Sequence, residues 1–338
     1  MRIMVFDVPA ENGGALTILN QYYEEAVNDK ENEWIFIVST PKLYETDNVK
    51  IMNYPWIKKS WFHRLYFDYF IAHKIVVENN IDEILSLQNL IIHKIKTRQV
   101  LYLHQSLPFI EKRFKFIENT KFWIYQNIIS KMIYRSITKA DKVIVQTNWM
   151  KDVCVKKTNV NPSKIVIEPP KIKIQVKKQY KQENTSQKLF FYPANSALYK
   201  NHRIIIEAMK DLKNINDKYN YKVVFTLKGN ENRNIRNLYM EVQKFNLPIT
   251  FVGSLSIEEV YEYYSKAILI FPSYLESFGL PLLEAKIHDT PILASDCAFS
   301  HEILDDYKRV KYFSPNNYKE LSYRMKHIIE NNIYQGTN

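Results

Sequence analysis

The chain has 338 residues, 46% of them apolar and 25% charged, which suits a folded protein of two ordinary domains. Its formal net charge of +11 and pI near 9.2 call for an acidic partner, either nucleic acid or an anionic membrane surface. No apolar run reaches the ~18 residues of a membrane span and no hydrophobic leader opens the chain; Cys154 and Cys297 stand in no metal-ligand pattern, so a reduced cytoplasmic setting is expected.

Residues 2–7 read as a buried first strand, 11–15 as a loop and 16–27 as a helix. Gly13 and Gly14 in that loop would let a ligand approach the backbone. The pattern G-x-G-x-x-G is absent, which argues against a nicotinamide enzyme. Residues 34–39 form a second strand. Residues 58–74 are helical, with Trp61, Leu65 and Tyr69 on one row, Phe62, Tyr66 and Phe70 on the next, and Lys58, Lys59, His63 and Arg64 at the front. Apolar rows at this spacing are read first as core; a helix lying on a membrane is the alternative.

Strands at 82–87 and 100–103 end in polar residues, Gln88 and Asn89 after the first, His104 and Gln105 after the second. Open α/β sheets bind ligands at the carboxyl ends of strands, so these four are expected to wall a ligand site. Residues 111–139 interleave Lys112, Arg113, Lys115, Lys121, Lys131, Arg135 and Lys139 with aromatics. No nucleic-acid-binding motif accompanies them, so the mixture points to a membrane or a lipid diphosphate.

Pro169 and Pro170 close a strand at 164–168, and the polar, lysine-rich run 171–187 is expected to link a domain at 1–170 to one at 188–338. A strand at 189–192 leads to a loop carrying Asn195 and Lys200 and then to a helix. Strands at 223–228 and 250–252 end at Gly229 and Gly253, another follows at 291–294, and a helix at 318–331 closes the chain. Strands and helices alternate throughout, which gives an α/β protein of two doubly wound sheets.

The most informative stretch is 267–288. A strand, Ala267-Ile268-Leu269-Ile270-Phe271, is followed by Pro272 and Ser273, and Pro281 suits the first turn of a helix. The free N–H groups of Phe278, Gly279 and Leu280 then lie at the positive helix end, where a diphosphate fits. Glu276 and Glu284, eight positions apart, frame that anion site with carboxylates suited to sugar and ribose hydroxyls.

The run Glu276-Ser277-Phe278-Gly279-Leu280-Pro281-Leu282-Leu283-Glu284-Ala285 resembles the donor-site pattern E-x-F-G-[LM]-x-x-[LIV]-E-A of the retaining family 4 glycosyltransferases, here of the bacterial surface-polysaccharide type. The resemblance is strong from 189 to 304 and moderate before. It implies the GT-B fold, two Rossmann-like domains facing a central cleft, the first for acceptor and the second for nucleotide sugar. It gives Glu276 to the donor sugar, the backbone from Ser277 to Leu280 to the diphosphate, and Glu284 to the ribose. Lys200-Asn201 matches the end of the family's G-R-x4-K-[GN], while Asn195 stands where its arginine would be. Gly13 and Gly14 would line the cleft, Gly229 and Gly253 the base, and Gln88, Asn89, His104 and Gln105 the acceptor, with His104, Glu276 and Lys200 expected to be catalytic.

The expected reaction moves a hexose or deoxyhexose from a UDP- or GDP-linked donor to a glycan acceptor, lipid-linked, on the inner face of the plasma membrane. No Asp-x-Asp clamp is placed for a donor diphosphate, so neither metal nor further cofactor is expected. The alternatives are another GT-B enzyme, an epimerase or phosphorylase, and a nucleic-acid binder resting on charge alone.

Overall fold

The computed structural model describes residues 1–11, 13–110, 113–117, 119–172, 174–181 and 187–331. Backbone proximity divides the chain into two units, Met1–Ile172 and Lys173–Asn338. The expected calls on Asn12, Glu111, Lys112 and residues 182–186 lie outside the described residues.

The first unit is built on β1 (Arg2–Phe6), β2 (Glu33–Val38), β3 (Val49–Asn53), β4 (Glu83–Ser86), β5 (Arg98–Leu103), β6 (Lys142–Val145) and β7 (Ile165–Ile167). All pairings are parallel, in the order β3-β2-β1-β4-β5-β6-β7. Runs such as Ile35-Phe36-Ile37-Val38 are apolar at every position because helices cover both faces. On one face α1 (Gly13–Asn28) packs against Val5, Phe36, Leu85, Val100 and Ile144. On the other lie α2 (Trp61–Tyr66), α3 (Ala72–Glu78), α4 (Thr120–Ile124) and α5 (Ser130–Lys139), with α6 (Asn148–Thr158) beside them.

Three expectations change here. Gly13 and Gly14 are not in a loop; they form the first turn of α1, which begins three residues earlier than expected. β3 was not expected: Val-Lys-Ile-Met-Asn is a half-exposed edge strand, too polar to stand out. The third concerns residues 58–74. A 3-10 turn (Pro55–Lys59) precedes α2, and a π-turn (Phe67–Ile71) joins α2 to α3. The helix buries Phe67, Asp68, Ala72, Ile75 and Val76, while both aromatic rows expected as core face outward. A second π-turn (Tyr125–Ile129) joins α4 to α5 in the same way.

The second unit carries a six-stranded parallel sheet in the order β10-β9-β8-β11-β12-β13. Its strands are β8 (Lys188–Tyr192), β9 (Tyr221–Phe225), β10 (Ile249–Phe251), β11 (Ile268–Phe271), β12 (Ile292–Ser295) and β13 (Val310–Phe313). Its helices are α7 (His202–Ile215), α8 (Arg233–Lys244), α9 (Ile257–Tyr264), α10 (Leu280–Ile287), α11 (Ala298–Leu304) and α12 (Tyr318–Asn331). β9 ends three residues before the expected 228, because Thr226, Leu227 and Lys228 already lead into the turn at Gly229. Within the expected linker, Tyr180 and Lys181 donate backbone hydrogen bonds to His288 and Ser265 of this unit. Strand order reverses between β8 and β11, and a doubly wound sheet takes its ligands where such a reversal occurs. No helix among the described residues is long and apolar enough to cross a membrane.

Candidate active site

At the reversal point of the second unit, two loops leave β8 and β11 and are stitched together. Tyr274 N donates to Tyr199 O at 3.1 Å, and the buried Ser273 Oγ reaches the same carbonyl at 3.2 Å. The stitching sets Lys200 against Glu276: Lys200 Nζ donates to Glu276 Oε1 at 2.6 Å, and the two side chains are only 12% and 14% exposed. Ser273 Oγ donates to the same carboxylate oxygen at 2.6 Å, which fixes its rotamer. Lys200 also rides 5.6 Å above the Tyr199 ring, and its carbonyl accepts from Tyr192 Oη at 2.6 Å. Asn201 follows in the left-handed region (φ 58°), a conformation that asparagine tolerates, and its amide holds the carbonyls of Pro272 and Pro315.

Glu276 sits in the loop before α10, and Glu284 one turn into it. Gly279 caps the helix at φ 102°, a backbone conformation open to glycine. The N–H groups of Phe278, Gly279 and Leu280 find no protein acceptor among the described residues and face the positive helix end. Glu284 accepts from Tyr264 Oη at 3.0 Å; burial pushes its pKa up to about 6, an effect the Tyr264 hydroxyl offsets in part. A lysine, a row of free amides and two carboxylates thus ring one end of α10.

The other residues expected here differ in placement. Asn195 is exposed and turned into its own loop, its Oδ1 accepting from Ala197 N at 3.1 Å, so it supplies no charge in the absent arginine's place. Gly229 ends the β9 turn, where its N–H and that of Lys228 are both taken by the Glu231 carboxylate. A Cβ at Gly229 would lie 2.5 Å from the Tyr239 ring. Gly253 sits beside the stem of Lys228 at the end of β10.

In the first unit, the carboxyl edge of the sheet gathers Asn89, His104 and Gln105: Asn89 Oδ1 accepts from His104 N at 2.9 Å and Gln105 N at 3.1 Å. Among the described residues, Gln88 Oε1 and His104 Nδ1 are buried without hydrogen-bond partners, and burial pushes the His104 pKa down to about 4, which keeps the imidazole neutral. Gly13 and Gly14 stand exposed at the start of α1, with open space where a Cβ would be. Asp7, one residue past β1, is fully buried, and neither carboxyl oxygen makes a well-formed hydrogen bond among the described residues. Burial pushes its pKa up to about 8; the nearby Ala10 amide and the charges of Arg64 and Lys58 offset only part.

Residues 173–336 match the family model described as Glycosyl transferases group 1. That match takes in just under half of the chain, and it makes the second unit similar to the group 1 glycosyl transferases. The O-antigen chain mannosyltransferase RfbU of Salmonella typhimurium is 25% identical over 232 residues, which cover 67% of this chain and 63% of that protein. The chain therefore spans less than two thirds of that relative. Among solved structures, sucrose-phosphate synthase from Thermosynechococcus elongatus superposes with a TM-score of 0.73 at 14% identity, covering 98% of this chain and 90% of that one. HepE from Anabaena, solved with UDP-glucose, superposes with a TM-score of 0.70 at 13% identity and the same coverages. At such identity these likenesses speak for fold alone, and the fold is GT-B.

Two residues of the candidate site escaped the reading of the sequence. Ser273, which orients Glu276, offered as its signal a hydroxyl three places before the first glutamate. Tyr264, which holds Glu284, lies 20 residues away, and nothing in its surroundings marks it.

Proposed function

We propose that this protein is a retaining glycosyltransferase that moves a hexose or deoxyhexose from a UDP- or GDP-linked donor to a glycan in cell-surface polysaccharide synthesis, without a metal ion. The observation that carries this reading is the Lys200–Glu276 pair beside the free amides of Phe278, Gly279 and Leu280. The match of residues 173–336 to the group 1 model supports it, as do the O-antigen mannosyltransferase relative and the UDP-glucose bound by HepE.

The donor diphosphate lies on the α10 amides and draws Lys200 toward it, and Glu276, released from the ion pair, accepts the sugar hydroxyls. As the bond from C1 to the phosphate oxygen breaks, negative charge grows on that oxygen, where Lys200 and the amides are already in place. The acceptor oxygen forms its bond to C1 on the same face, and its proton passes to the departing phosphate, so no protein nucleophile is needed. Glu284 holds the ribose. His104, neutral at physiological pH, gives the acceptor a hydrogen-bonding ring nitrogen, and Gln88, Asn89 and Gln105 line its path. The acceptor is carried on a lipid, and the +11 chain works at an anionic membrane surface on the cytoplasmic side.

The test is a transfer assay with UDP- and GDP-sugars and lipid-linked acceptors, reading the anomeric configuration of the product by NMR. A new glycosidic bond with the donor's configuration, lost in Lys200→Ala and Glu276→Ala, is expected. Epimerised nucleotide sugar or free sugar phosphate, or full activity in both variants, would overturn the proposal.

A further inference from the structure

We infer that the outer face of α2, its π-turn and the neighbouring α4 segment is the surface by which the protein seats on an anionic bilayer. Within ten residues, Trp61 is 57% exposed, Phe62 83%, Tyr66 55% and Phe70 55%. Exposed large side chains on a folded surface are ordinary when single; contiguous ones mark a contact. The π-turn is what turns them outward, because its extra residue lets Phe67 and Asp68 dip to the sheet while the rows on either side stay at the surface. A shallow hollow of about 520 Å³ lies between Trp56, Phe62, His63 and Tyr66.

The α4–α5 helix packs on the same side of the sheet. His93 lies between the two helices, stacked on Tyr69 at 5.2 Å and within the fields of Asp68, Lys139 and Arg135, while Lys94 sits 5.5 Å over the Phe70 ring. This second helix and the segment before it add Phe116, Ile117 and Ile128, the last two 96% and 52% exposed.

Among the described residues, the exposed unpaired charge on this face is positive. Lys59, Lys94, Lys121 and Lys131 are exposed and in no salt bridge among the described residues. From residue 55 to 77 the single acid is Asp68, buried and bound to Arg64 at 2.7 Å. Aromatic rings between lysines suit the headgroup level of a bilayer, rings at the acyl boundary and ammonium groups on phosphates. Two copies of this chain meeting here would set lysines against lysines, which opposes self-association.

The placement rests on the membrane reading above, but not on the reaction. It is tested with the whole chain and phosphatidylcholine vesicles, with and without phosphatidylglycerol, by flotation and by tryptophan emission, the Trp61 part being the difference between the wild type and Trp61→Phe, since the chain holds five tryptophans. The wild type is expected to bind the anionic vesicles, more weakly at high salt, with emission moving to shorter wavelength. Phe62→Ser with Phe70→Ser should weaken binding at least ~10-fold without changing the melting temperature, and Trp61→Phe should make the spectral shift smaller. If the wild type ignores anionic vesicles, the membrane reading falls and this placement with it. If it binds but the double variant binds equally, with Trp61 emission unmoved, only the placement falls. If vesicles are ignored while sedimentation shows a dimer that the double variant dissolves, the face belongs to a second copy and the inference is overturned.

Discussion

Lys200 and Glu276 hold each other at 2.6 Å with little of either side chain exposed, and Ser273 Oγ is a third partner. Such a pair is weak evidence for stability but a good store of positioned charge. Lys200→Ala should lower kcat/KM roughly 10²–10³-fold, read by steady-state kinetics, and by leaving the buried Glu276 carboxylate without its cation it should also lower the melting temperature in calorimetry. Glu284 ionises near pH 6 when buried, instead of near 4.5. If its carboxylate holds the ribose, nucleotide affinity should fall several-fold as pH drops from about 7.5 to 5.5. Glu284→Gln should flatten that profile in a binding titration. Asp7 tests the other direction. Its folded pKa of about 8 lies above the ordinary 3.8, so its contribution to stability is whole below 3.8 and is lost as pH rises toward 8. Asp7→Asn, uncharged throughout, should melt at least about 2 °C above the wild type at pH 8, with the gap closing near pH 5. At this scale the sequence was readable where chemistry and spacing coincide, as in Glu276, Glu284 and Lys200-Asn201. Ser273, Tyr264 and Asp7 were not, because their importance comes from contacts that only packing creates.

Among the elements, strands buried on both faces were the easiest to read, since an apolar run such as Ile268-Leu269-Ile270-Phe271 has few other uses. The helix at 58–74 was harder: its aromatic rows have the spacing of a core stripe, yet the π-turn and the apolar row Phe67, Ala72, Ile75 and Val76 took the buried side. A single inserted residue leaves no mark in periodicity. Turn glycines permit a sharper check. Gly229 and Gly253 both have positive φ, 93° and 79°, but a Cβ at Gly229 would meet the Tyr239 ring at 2.5 Å, whereas at Gly253 it meets the yielding stem of Lys228 at 3.4 Å. Gly229→Ala should therefore lower the melting temperature by several degrees more than Gly253→Ala in the same scan.

For the whole molecule, the order β10-β9-β8-β11-β12-β13 explains why the site lies where it does: the loops after β8 and β11 diverge at the reversal and bring Lys200 and Glu276 together although they are 76 residues apart. Alternation of strand and helix made two such sheets legible from the chain, but strand order is set by crossovers that leave no local pattern. The most direct measurement is a calorimetric titration of UDP, GDP, ADP and CMP in EDTA, with the wild type and Lys200→Ala. One nucleoside diphosphate should bind the wild type in EDTA and bind Lys200→Ala at least ~10-fold more weakly. Binding of none of the four, or equal binding by Lys200→Ala, would contradict a diphosphate site at Lys200 and the start of α10.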